Sequence, residues 1–207
     1  LSSRQSLWYR RSFSIPADWK GERIFMHVGS ATSNLSVWIN GRYVGYSQGP
    51  NNDSEFDVTK IVRPGVNSIS VEVLRWSDGS FIEDQDMFRV AGIHKNVWMY
   101  AAPKTSIADF HLSSDFNADF TSATFSVKTW LRNLGGKSGK HTLSVELIDP
   151  EGKTVFSSEA GSVRVRKRKN AEIDFSAAVD HPSLWSAETP NLYSVVLSLR
   201  DADGNEV

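Results

Sequence analysis

The chain has 207 residues, room for one or two domains, each large enough to bury a core. Its composition, 40% hydrophobic and 11% aromatic with a net charge of -1, describes a globular protein without a general attraction to nucleic acid or anionic membrane. Zero cysteines exclude disulfides, thiol catalysis and sulfur-ligated zinc. No stretch approaches the roughly 20 apolar residues of a membrane-spanning helix, and the N-terminus lacks the charged-then-apolar pattern of a secretory leader.

In chain order, period-2 alternation predicts strands at residues 8–15 (WYRRSFSI), 23–28 (RIFMHV), 35–39 (LSVWI), 42–47 (RYVGYS), 66–74 and 97–101. Asn40-Gly41 is a hairpin signal because both turn positions favour positive φ, and Arg63-Pro64-Gly65 marks another turn. The spacing allows one short helical element, Val58 to Val62. Beyond Pro103 the alternation resumes at 105–111, 123–131, 141–148, 154–157, 162–167, 171–175 and 193–200, with turns at Leu134-Gly135-Gly136 and Asp149-Pro150-Glu151-Gly152. Seven strands in about 100 residues suit an immunoglobulin-like sandwich. The pattern therefore predicts an all-β chain of two sandwiches, 1–102 and 103–207. The C-terminal DADGNEV carries a hairpin signal with almost no returning strand, which reads as a cut through a longer chain.

One segment breaks the rhythm of short turns. Residues 75–93 (RWSDGSFIEDQDMFRVAGI) place Asp78, Glu83, Asp84 and Asp86 among Trp76, Phe81, Met87 and Phe88. Loops of this length inside a compact domain are usually functional or disordered, and the aromatics argue against disorder. Solvated charge with local capping is the plainest use of the acids. Calcium is a second use, although the spacing departs from the D-x-[DN]-x-[DN]-G loop. A glycosidase carboxylate pair is a third, but two carboxyls held about 5 to 10 Å apart are rarely both set by one loop.

Elsewhere the chemistry is sparse. His27, His94, His111, His141 and His181 are scattered without metal-ligand spacing, and there is no G-x-S-x-G, G-x-G-x-x-G or P-loop pattern. Arg164 to Lys169 (RVRKRK) alternates like a strand with a basic outer face running into a solvated turn. Nucleic-acid binding through it would require a steep salt dependence. The seven tryptophans offer either core mass or a platform on which sugars stack, and Trp76 and Phe88, beside carboxylates, stand apart from the strand pattern.

These residues carry a resemblance. The run LRWSDGSFIEDQDMFRVAGI at 74–93 resembles the matching segment of the large bacterial β-galactosidases of glycoside hydrolase family 2. YRRSF at 9–13, INGRYVGYSQG at 39–49, SEFDVT at 54–59 and LWSAETPNLY at 184–193 resemble the family in the same order. The strand motifs are shared with β-glucuronidases and β-mannosidases, whereas the EDQDM run is the specific part. The resemblance implies a jelly-roll (galactose-binding-like) β-sandwich, N-terminally incomplete, followed by an immunoglobulin-like β-sandwich. A (β/α)8 barrel outside this segment would carry both catalytic glutamates and the magnesium site, so no catalytic residue is expected here.

By the same resemblance, Asp86 would bind the galactosyl group and a sodium ion whose other ligands lie outside the segment, with Trp76 and Phe88 in support. Phe88 stands where the best-known relatives have tryptophan. The implied partners are a β-galactoside reached through the barrel and further copies of the parent in a homo-oligomer, with neither nucleic acid nor membrane. The implied setting is bacterial, cytoplasmic or periplasmic. Two alternatives stay open: a free-standing carbohydrate-binding or adhesion module, and another family 2 specificity, β-glucuronidase or β-mannosidase.

Overall fold

The computed structural model describes residues 5–83, 86 and 90–207. The chain divides into two compact units, Leu1–Ala102 and Pro103–Val207, each with its own core.

In the first unit the strands are β1 (Ser6–Ile15), β2 (Arg23–Val28), β3 (Ala31–Thr32), β4 (Leu35–Ile39), β5 (Arg42–Ser47), β6 (Ser54–Asp57), β7 (Gly65–Leu74), β8 (Gly92–Ile93) and β9 (Val97–Ala102). One sheet runs β1-β7-β4-β5, a second β6-β2-β9, and β3 pairs with β8. This is the jelly-roll sandwich. Alternation sorts the faces: Val71 and Val73 of β7, Leu35, Val37 and Ile39 of β4, and Ile24, Met26 and Val28 of β2 all point into one buried cluster. On the outward face of the three-stranded sheet, polar partners tie down the rings. Trp98 stacks on His27 at 3.8 Å, the Tyr100 hydroxyl donates to Glu55 Oε2 at 2.5 Å, and Arg23 pairs with Asp57.

Asn40 and Gly41 form the β4–β5 hairpin with φ of 52° and 75°, the left-handed geometry that this dipeptide tolerates. Buried Asn67 ties that hairpin to the 63–65 turn. Its amide donates to the carbonyls of Arg63 (2.7 Å) and Gly65 (2.8 Å), and its oxygen accepts from Arg63 N–H (3.0 Å) and Asn40 Nδ2 (2.8 Å). Val58 to Val62 is one helical turn, closed by Ile61 and Val62 N–H donating to Val58 O. Pro64 follows at once and prevents propagation.

Gly45 faces inward, and a Cβ there would lie 2.6 and 2.7 Å from ring carbons of Phe56, which packs on the core. Gly45→Val is therefore expected to destabilise the chain by about 1–3 kcal/mol through overpacking. A urea midpoint equal to that of the parent protein would show instead that the ring swings aside.

The second unit contains β10 (Thr105–Phe116), β11 (Ser122–Asn133), β12 (Gly139–Ile148), β13 (Thr154–Val165), β14 (Asn170–Asp180) and β15 (Ser194–Arg200). They form sheets β10-β11-β14 and β13-β12-β15, so consecutive strands β11 and β12 lie in different sheets, as do β13 and β14. That interleaving is the immunoglobulin-like arrangement. Its core is built by alternate residues of β11 and β12, Phe125, Val127 and Leu131 against Leu143, Val145 and Leu147.

The segments expected as separate strands, 154–157 and 162–167, are one strand here. The register passes from Leu143↔Gly161 to Ser144↔Glu159, leaving Ala160 as an extra residue. A β-bulge at that point, with Gly161 at φ 150°, lets the polar-looking break SSEAG stay inside the ladder. The basic run ends β13 at fully buried Val165, and Arg166 to Lys169 form the following turn, with Arg168 at φ 57°. The final turn is held by Asp201. Backbone donation from Asn205, with help from the Asn205 side chain and Asp203 N–H, holds its carboxyl below the usual carboxylate range.

Candidate functional site

The long loop of the first unit leaves β7 at a braced corner. Ser33 donates through both N–H (3.1 Å) and Oγ (2.9 Å) to Leu74 O, and Leu74 N–H donates to Asn34 Oδ1 (3.0 Å). Arg75 N–H donates to Gln5 O (2.9 Å), while its Nη1 donates to Gln5 Oε1 (2.8 Å). Four residues further on begins a single helical turn, α1 (Gly79–Ile82), beside which Ser77 and Ser80 exchange local hydrogen bonds. With its amide oriented to satisfy both ends, Gln48 accepts from Asp78 and Gly79 N–H at 3.1 Å each and donates to the Tyr46 hydroxyl at 3.1 Å. Asp78 makes no side-chain cap, so its contribution to the turn is its carbonyl, which accepts from Phe81 and Ile82 N–H.

The returning arm is pinned as firmly. β8 pairs with β3, His94 N–H donates to Ser30 O (3.1 Å), and His94 Nε2 donates to Val90 O (2.9 Å). Gly92 is required there: its φ is 133°, and a Cβ would come within 3.2 Å of the Tyr9 hydroxyl.

Between the two arms is a cleft of about 350 Å³, lined in part by Ser30, Gln48, Arg75, Trp76, Glu83 and His94. Trp76 is 40% exposed, lies 6.0 Å from the Phe81 ring, and carries the Arg75 guanidinium 5.4 Å from its centroid. The loop therefore combines an accessible indole with a cation, an imidazole and a carboxylate, a set that can stack on an apolar face and exchange hydrogen bonds with hydroxyls. Asp86 is exposed to solvent, while Asp84 and Phe88 lie outside the described residues.

Of the residues singled out from sequence, the structure joins Trp76 and Glu83 to the cleft and leaves Asp86 on the loop's surface. Arg75, Gln48 and His94 were not foreseen as cleft residues. They come from three separate stretches of chain, and only the pairing of β3 with β8 and the Gln48 bridge to α1 bring them together. A sodium ion takes several oxygen ligands. Among the described residues, no group of three or more histidine or carboxylate side chains could hold a metal. No helix among the described residues is long and apolar enough to cross a membrane.

Comparisons with known proteins place this geometry. Residues 2–103 match the model for the glycosyl hydrolases family 2 sugar binding domain, and residues 105–207 match a second model of glycosyl hydrolases family 2. A β-galactosidase of Priestia megaterium is 34% identical over 198 residues, covering 95% of this chain and 19% of that protein. The chain thus spans about a fifth of the length of that curated relative. Among solved structures, Bacteroides uniformis β-glucuronidase 2 superposes with a TM-score of 0.89 at 23% identity, over 99% of this chain and 25% of that one. A putative β-galactosidase of Bacteroides fragilis gives 0.86 at 22% identity, over 99% and 32%. These structural likenesses establish the fold. Because the two family models adjoin and together run from residue 2 to residue 207, the chain belongs to glycoside hydrolase family 2.

Proposed function

We propose that this chain is the non-catalytic N-terminal portion of a retaining β-galactosidase and completes that enzyme's active site through Asp86. The observation that carries the reading is the sequence match to a β-galactosidase over 95% of the chain, combined with an exposed carboxylate on a loop whose two arms are anchored to a rigid sandwich. A loop held in this way can present one acceptor to a neighbouring pocket without rearranging its own domain. The carboxylate of Asp86 would accept hydrogen bonds from galactosyl hydroxyls and supply one oxygen to a sodium ion. A (β/α)8 barrel elsewhere on the polypeptide would carry the acid/base, the nucleophile and the magnesium, and the parent would be a homo-oligomer. Alone, the chain should hydrolyse nothing.

The test is Asp86→Ala in the full-length enzyme, with kcat/KM for a β-galactoside measured across a sodium titration. Hydrogen bonds to a charged group contribute about 1.5–3 kcal/mol, so kcat/KM is expected to fall roughly 10- to 100-fold and its sodium dependence to flatten. Unchanged kinetics at every sodium concentration would remove Asp86 from the site. Turnover of β-glucuronides in place of β-galactosides would reassign the substrate.

A further inference from the structure

The outward face of a sandwich sheet is ordinarily polar, because alternation sends its apolar residues inward. The four-stranded sheet of the first unit departs from this. Register pairs Arg10 with Ser70, Ser70 with Trp38, and Trp38 with Tyr43, so one row crosses all four strands on the face opposite the core, while Trp8 sits in the adjoining row opposite Glu72. Ser70 is small enough for the two indoles to meet above it: Trp8 and Trp38 lie 5.3 Å apart, and Tyr43 meets Trp38 edge-on at 5.5 Å. The outer two rings are open, with Trp8 59% and Tyr43 56% exposed. Three contiguous aromatic side chains on an exposed face are an informative departure, since scattered surface apolar residues are ordinary and a connected patch marks a binding surface.

The polar groups around this belt narrow the occupant. Arg10 and Glu72 flank the rings, and neither is in an ion pair with another described residue. A free donor fork, a free carboxylate and a serine hydroxyl beside aromatic faces match a neutral ligand with apolar C–H faces and a rim of hydroxyls. A buried protein interface would instead leave the Arg10 and Glu72 charges to be desolvated without partners of their own.

We infer that the Trp8–Trp38–Tyr43 belt is a saccharide-binding surface, separate from the 75–93 loop, that holds a neutral polysaccharide chain. The choice of a saccharide rests on the carbohydrate reading above; the surface itself does not depend on Asp86 or on which glycoside the parent cleaves. The surface would retain the protein on a polymer rather than position a bond for cleavage.

The test is affinity electrophoresis of the full-length protein through native gels cast with galactan, arabinogalactan, xylan or mixed-linkage β-glucan. At least one polymer is expected to retard the protein. Trp8→Ala and Tyr43→Ala should each weaken that retention roughly tenfold, the loss of one stacking ring. Both side chains are exposed, so their melting temperatures should match the parent protein's. Retardation by mixed-linkage β-glucan, a polymer without galactosyl groups for Asp86 to hold, would be due to this surface alone, and Trp8→Ala and Tyr43→Ala both keep Asp86, so failure of this surface and failure of the active-site reading are read separately. The inference is overturned if no polymer retards the protein or if both variants are retarded undiminished. It is also overturned if either substitution lowers the sedimentation coefficient, which would assign the belt to a second copy.

Discussion

Asn67→Ala is expected to destabilise the protein by about 4 kcal/mol, one of the largest losses any single substitution should produce here. Asn67 is 2% exposed and uses its amide fully: two donations to the carbonyls of Arg63 and Gly65, and two acceptances, from Arg63 N–H and Asn40 Nδ2. Alanine removes four bonds at once, two donations to and one acceptance from the Arg63 and Gly65 backbone and one acceptance from Asn40 Nδ2, each contributing about 0.5–1.5 kcal/mol net. The damage spreads because Asn40 is itself a bridge, donating to Ile61 O and accepting from Ser68 N–H. Urea denaturation followed by tryptophan fluorescence measures the loss, and hydrogen exchange should show it concentrated in β4, β5 and β7. Asn67→Asp keeps the acceptor and loses both donations, so an intermediate loss is expected. A change below about 1 kcal/mol for Asn67→Ala would mean that water takes over the vacated positions.

Leu131→Ala should cost the second unit about 3–5 kcal/mol. Leu131 is 0% exposed near the C-terminal end of β11, flanked in the ladder by Ile107 and Ala171, and belongs to the core that includes Leu143, Val145, Val165 and Leu199. Its neighbours come from both sheets of the sandwich, and a sandwich held by long ladders collapses poorly into a void. The expected signature is a lower urea midpoint with hydrogen exchange accelerated in β11, β12 and β14. Leu131→Met, which nearly conserves volume, should recover most of the loss, and equal destabilisation by both substitutions would rule out the cavity as the cause.

The strands were legible where alternation was long enough to register. Residues 23–28, 35–39 and 42–47 match β2, β4 and β5, because each is rich in β-branched or aromatic residues and β4 and β5 meet at a clear turn. The short strands β3, β6 and β8 were not expected. Two to four residues carry no period, and these strands exist because partners elsewhere in the chain pair with them. The bulge at Ala160 hid the continuity of β13 for a related reason: one inserted residue reverses the alternation that identifies a strand.

The loop at 75–93 was visible as an interruption, and its aromatics argued for order. The cleft beside it was not visible, since Ser30, Gln48 and His94 become neighbours only through folding. The outward-facing belt was equally hidden. Trp38 and Tyr43 sit in ordinary strand patterns, and only the register across β7 shows that Trp8 joins them.

The double anchoring of the 75–93 loop makes its tip separable from its frame. Main-chain bonds from Ser33 to Leu74, from Arg75 to Gln5 and from His94 to Ser30 fix both ends. The entropy of closing such a loop grows only logarithmically with length, so a few inserted residues add a few tenths of a kcal/mol. Against the several kcal/mol expected for Asn67 or Leu131, that is a small penalty. Lineages that kept this scaffold could therefore lengthen, shorten or rewrite the tip and meet a new substrate while leaving the sandwich untouched, and the same freedom makes it the natural position for a designed specificity graft.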